Sequence, residues 1–113
     1  EVNLVLSARV VTAVTEESGT TSVVPREMVL QQNFPNPFNP ETRISFLVPT
    51  SGQATLRIYD ALGQQVAVLF DRFAEAGSRY DVMFRAADLG AGIYYYALDF
   101  SGRRVSRPMV LVK

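Results

Sequence analysis

Five glycines keep an almost even beat through the chain: Gly52, Gly63, Gly77, Gly90 and Gly102 are separated by 11, 14, 13 and 12 residues. Turn signals that close together leave room for short strands and for little else. The runs between them alternate with period two. RISFLV (43–48) puts Ile44, Phe46 and Val48 on one face, and ATLRIY (54–59) sets Ala54, Leu56 and Ile58 against Thr55, Arg57 and Tyr59. QVAVLF (65–70) offers Val66, Val68 and Phe70, and RYDVMFR (79–85) sets Tyr80, Val82 and Phe84 against Arg79, Asp81 and Arg85. There is little sign of a 3.6-residue period. IYYYALDF (93–100) and MVLVK (109–113) are apolar on both faces, which predicts strands buried or paired near the middle of a sandwich. With a strand before Asn33, these runs predict an all-β fold: an immunoglobulin-like antiparallel β-sandwich of about seven strands.

The first 24 residues have a different character. NLVLSARVVTAV (3–14) reads as one strand, and TEESGTTSVVP, polar and small, reads as a linker. Residues 1–24 are therefore expected to be the end of a preceding domain plus a linker, and residues 25–113 the domain proper. The start lacks a basic n-region and no apolar run approaches the roughly 20 residues that span a bilayer, so neither a signal peptide nor membrane insertion is expected.

Composition narrows the chemistry. Eleven Lys and Arg balance eleven Asp and Glu, so bulk charge favours neither nucleic acid nor an anionic membrane as a partner. With no cysteine and no histidine, thiol nucleophiles, Cys/His zinc sites and histidine triads are excluded. No Asp-x-Asp-x-Asp calcium loop and no glycine-rich phosphate loop is present, so no metal or cofactor is expected. The aspartates Asp60, Asp71, Asp81, Asp88 and Asp99 fall mostly at predicted strand ends or turns, where Asp bonds its own backbone. In YDALGQQV, Asp60 and Gly63 fit a type I turn closing a three-residue hairpin with a bulge. The chain is not expected to be an enzyme.

The densest motif is NFPNPFNP (33–40). Pro35, Pro37 and Pro40 fix their own φ and bias Phe34, Asn36 and Asn39 towards extended geometry, so the segment is stiff. Asn33, Asn36 and Asn39 recur every third residue, the polyproline II repeat, which predicts amides along one edge serving backbone groups near the prolines. Phe34 and Phe38 are expected to plug the rim of the core. A ligand reading of PFNP as a PxxP motif is weaker, because the phenylalanines suit burial.

Four blocks in register carry a resemblance: LQQNFPNPFNPETRISFLVP (30–49), LRIYDALGQQVAVLFD (56–71), LGAGIYYYALDF (89–100) and RPMVLVK (107–113). Residues 28–113 resemble the C-terminal sorting domain of proteins exported by the bacterial type IX (Por) secretion system. The resemblance implies a β-sandwich appended to a larger cargo protein and read by the outer-membrane translocon. It also implies removal by a sortase-like peptidase, attachment of some cargoes to a surface polysaccharide, and a secreted or cell-surface destination reached through the periplasm and outer membrane. The family's glycine-x-tyrosine block corresponds to Gly92 and Tyr94, with Tyr96 next on the same face. Its apolar, lysine-ended tail corresponds to Met109, Val110, Leu111, Val112 and Lys113. A further basic residue often precedes that methionine in the family, whereas this chain has Pro108, with Arg107 one place earlier.

Such a tail suits either the last strand of the sandwich or a strand added to a receptor's sheet edge, and an exposed strand also allows self-association. Met109 and Leu111 read equally as core. Tyr94 and Tyr96 share a face and are expected to pack in the core with bonded hydroxyls, while Tyr95 points the other way. The alternative function is a carbohydrate-binding module using Tyr95 and exposed Tyr59. Arg103, Arg104 and Arg107 form a small basic patch, read as a solvated face that could meet an acidic surface or an anionic glycan.

Overall fold

The computed structural model describes residues 26–113. The strand expected at 3–14 and the linker after it lie outside the described residues. Seven strands follow in order: β1 (Val29–Leu30), β2 (Glu41–Leu47), β3 (Gly52–Tyr59), β4 (Gln65–Ala74), β5 (Tyr80–Arg85), β6 (Gly92–Phe100) and β7 (Arg103–Leu111). They form a three-stranded sheet, β1-β2-β5, and a four-stranded sheet, β4-β3-β6-β7, with every neighbouring pair antiparallel. This is the expected sandwich with immunoglobulin-like connectivity.

Alternation places the core. Ile44, Phe46 and Val48 on or just after β2 are fully buried, as are Ala54, Leu56 and Ile58 on β3, so each sheet offers one apolar face to the other. The β5 phase also matches expectation, with Phe84 buried and Met83 exposed. Between the sheets Phe46 meets Phe70 edge-on at 4.9 Å; within its own sheet it stacks on its strand partner Tyr80 at 5.3 Å, and on β4 the exposed Arg72 guanidinium lies 4.5 Å over the Phe70 ring.

The β3–β4 hairpin forms as its residues dictate. Asp60 Oδ1 accepts the N–H groups of Leu62 and Gln64, both at 2.9 Å, and Gly63 sits at φ +86°, where an L side chain is strained. Asp60→Ala is expected to cost about 1 kcal/mol by releasing those bonds, read as a lower urea midpoint with an unchanged m-value.

Two expectations fail. Val66 and Val68 do not join Phe70 inside; both are exposed. Leu56 pairs with Phe70 but Arg57 pairs with Val68, so Leu69 is an extra residue, and a second shift leaves Val66 unmatched between Ala67 and Gln65. These bulges bring Ala67 opposite Ile58 instead. The last strand is also not central. It begins at Arg103, well before Met109, and forms an edge of the larger sheet, with Pro108 where a missing N–H is tolerated. One face of β6 and β7 is buried, while Ile93, Tyr95 and Val112 are exposed.

Candidate functional site: the strap and the tail

The glycine-x-tyrosine block and the tail meet directly. In the β6–β7 ladder Gly92 is the partner of Leu111, Ile93 of Val110 and Tyr94 of Met109. Gly92 takes φ +151°, which L side chains rarely adopt, with open space where a Cβ would stand, so its backbone rather than its packing calls for glycine. Met109 and Leu111 are fully buried and Val110 half-buried, which leaves Val112 and Lys113 as the exposed end of the tail. The Lys113 ammonium donates to the Ala87 carbonyl at 3.3 Å.

The tyrosines divide as alternation requires. Tyr94 is buried and its hydroxyl donates to the Gly90 carbonyl at 2.7 Å. Tyr96 is wholly buried; its hydroxyl donates to the Gln31 carbonyl at 2.7 Å and accepts the Asn33 N–H at 2.8 Å. Burial pushes the Tyr96 phenol above its ordinary pKa, against the opposing pull of that N–H and of the nearby Arg107. Tyr95 faces outward, 41% exposed.

The proline segment is a corner strand. Phe34 continues β1 by exchanging backbone bonds with Arg43 of β2 at 3.0 and 2.8 Å, and four residues later Phe38 pairs in parallel with Leu111 of β7. The chain thus passes from one sheet to the other and closes that side of the sandwich. Asn33 pins the crossing: its Nδ2 donates to Thr42 Oγ1 at 3.0 Å and to the Pro35 carbonyl at 3.2 Å, and Thr42 donates to the same carbonyl at 2.9 Å.

Two details of the expected strap are corrected. Phe38 is 1% exposed and packs against Phe84, with ring centroids 6.1 Å apart, but Phe34 is 76% exposed. Phe34 stands opposite Arg43, which points outward between buried Thr42 and Ile44, and directly paired residues share a face. Nor do the asparagines line one edge. Asn33 is buried at the corner, whereas Asn36 Oδ1 accepts the Val110 N–H at 2.9 Å. Pro35, Pro37 and Asn39 are exposed, and Pro40 is half-buried with its carbonyl accepting the Ala86 N–H at 2.9 Å. Sequence reasoning missed that the strap touches the tail.

The arginines do not gather into a free patch. Arg104 donates to Asp99 at 2.7 and 2.9 Å, and Arg57 reaches the same carboxylate at 2.9 Å. These guanidinium bonds, led by that of Arg104, hold the Asp99 carboxyl below the usual carboxylate range. Arg107 donates to the Leu30 carbonyl at 2.6 Å. Tyr59 and Tyr95 are cross-strand partners beside an open cavity of about 270 Å³, but the Arg104 guanidinium lies 5.4 Å over the Tyr59 ring, which narrows any aromatic platform there.

The sequence model of the secretion system C-terminal sorting domain family matches residues 32–112, which span the strap, the glycine-x-tyrosine block and nearly all of the tail. Among solved structures, the crystal structure of dimeric latent PorU from Porphyromonas gingivalis is similar in fold, with a TM-score of 0.58 and 18% identity over 80% of this chain. The match spans 10% of that chain's length. No curated protein matches the chain. The chain belongs to the secretion system C-terminal sorting domain family: it is a C-terminal sorting signal of the type IX secretion system, sending its cargo to the cell surface or beyond the outer membrane.

Proposed function

We propose that the outer-membrane translocon reads this domain at the end of the β6–β7 hairpin, through Gly92, Tyr94 and residues 109–113. Residues 25–113 serve as the detachable signal, and residues 1–24 lead back to a cargo domain of the same chain. The supporting observation is the pairing of Gly92 with Leu111 and Tyr94 with Met109, which joins two separate sequence elements into one feature. Tyr96 supports that feature from beneath through its bonds to Gln31 and Asn33. A sortase-like peptidase then removes the domain, leaving the cargo free or attached to a surface glycan.

The test is an export assay. The 113-residue chain is fused behind a periplasm-targeted fluorescent protein in a host with a working type IX system. Removing residues 109–113 would also take Met109 and Leu111 out of the core, so the informative variant is Val112→Asp with Lys113→Glu, which alters only exposed positions. The parent fusion is expected at the surface or in the medium. The double variant is expected to stay in the periplasm with an unchanged unfolding temperature. Normal export of the double variant would show that the end of the tail is not read.

A further inference from the structure

An edge strand ordinarily presents a row of free N–H and C=O groups, and a short apolar tail on such an edge invites recognition by strand addition. The tail of this domain lacks that freedom. The Val110 carbonyl accepts the Phe38 N–H at 2.9 Å and the Phe38 carbonyl accepts the Val112 N–H at 2.9 Å, so the strap supplies a parallel strand segment. The Val110 N–H is taken by the Asn36 side chain at 2.9 Å. Coverage continues upstream, where Gln32 Nε2 donates to the Pro108 carbonyl at 3.0 Å and Arg107 bonds the Leu30 carbonyl.

We infer that the proline strap is the built-in strand partner of the tail, with Asn36 and Phe38 as positioning residues, and that strap and tail are read together as one composite element rather than by adding the tail to a receptor sheet. The inference rests on the proposed reading of the tail by the translocon.

The geometry favours a strap that stays docked. Asn33 and Phe38, at either end of the crossing, are buried, and Phe34 is tied to β2 by two backbone bonds. With the outer edge of residues 110–112 filled, recognition falls to side chains that remain outside: Val112, Lys113 and the exposed face of the strap itself. A receptor that meets such a surface sees an ordered, closed corner, and it pays no ordering entropy for a loose peptide.

Two kinds of variant test this in the full chain. Asn36→Ala removes the acceptor for the Val110 N–H from an exposed side chain. Hydrogen exchange of the Val110 amide is expected to quicken by about 5- to 10-fold while core amides of β3 are unchanged. Export of the fluorescent fusion is expected to fall, and Asn36→Asp, which keeps an oxygen acceptor, is expected to restore both. The second variant is a lock. Asn39 and Val112 follow the paired residues Phe38 and Leu111 and are both exposed, and the chain has no cysteine of its own. Asn39→Cys with Val112→Cys should therefore form one disulfide across strap and tail.

The locked fusion is expected to be exported as well as the same double-cysteine fusion with its disulfide reduced, a comparison in which the altered side chains at 39 and 112 are common to both arms. Retention of the locked form, relieved by a reductant, would overturn the inference, because the tail would then have to leave the strap. So would failure of the two thiols to pair under oxidising conditions, since that contradicts a docked strap. Faster exchange at Val110 in Asn36→Ala with undiminished export would show that the strap orders the tail but is not part of what is read. Loss of the parent's own export would count instead against the sorting reading of the tail, and the exchange measurement would still decide whether the strap is docked.

Discussion

Phe38→Ala is expected to destabilise the domain by about 3–5 kcal/mol, whereas Phe34→Ala, four residues away in the same motif, should change stability by less than about 0.5 kcal/mol. Both residues belong to one FPNPF sequence and both are flanked by proline, so local propensity cannot separate them. Burial does: Phe38 is inside and Phe34 is out. Truncating Phe38 removes a ring packed on Phe84, opens a cavity at the corner, and leaves the strand segment that covers Val110 and Val112 without its anchor. A loss of that size is a large share of the ~5–15 kcal/mol by which a domain is ordinarily stable. It corresponds to a fall in Tm on the order of 15 °C or more for a domain of this length. Thermal and urea unfolding of the two single variants would check the contrast. Equal and small effects would mean that the strap is not docked on the core.

Alternation and turn chemistry carried β2, β3 and β5 openly, because each has one buried and one solvated face and the hydrophobic pattern fixes their register. The Asp60 turn was equally legible, since its bonds are local. The inward face of β4 was not, because the extra residues Leu69 and Val66 exist only relative to the pairing with β3. The first half of β7 was hidden for a related reason. An edge strand buries little, so residues 103–108, RRVSRP, keep charges and a proline that argue against a strand when read alone. At the site, Tyr94 and Tyr96 were placed correctly by parity with Tyr95. The rigidity of the strap is legible in its prolines, but nothing local separates its two phenylalanines, because the face of each is set by a different partner strand: Arg43 on β2 for Phe34 and Leu111 on β7 for Phe38. The contact between strap and tail had no signal at all, since Asn36 and Val110 are 74 residues apart and nothing in either segment names the other.

Tyr96→Phe, which deletes a single oxygen, is expected to cost about 2–3 kcal/mol. In the folded chain that oxygen serves two backbone groups at the corner, accepting from Asn33 N–H and donating to the Gln31 carbonyl. Phenylalanine fills the same space but leaves both groups without that partner in a buried place, and an unsatisfied buried group costs about 1–3 kcal/mol. The effect should depend on pH in a defined direction. The Tyr96 phenol is raised above the ordinary tyrosine value of about 10 by burial, so the unfolded chain loses that proton before the folded one does. The stability Tyr96 contributes is therefore fully present below about pH 10 and is lost as pH rises through its folded pKa. Urea unfolding of parent and variant at pH 8 and at pH 11 would show the gap between them narrowing at the higher pH. A gap that stayed constant would mean that Tyr96 titrates alike in both states, and that its hydroxyl is not held in the buried corner where strap, β6 and β7 come together.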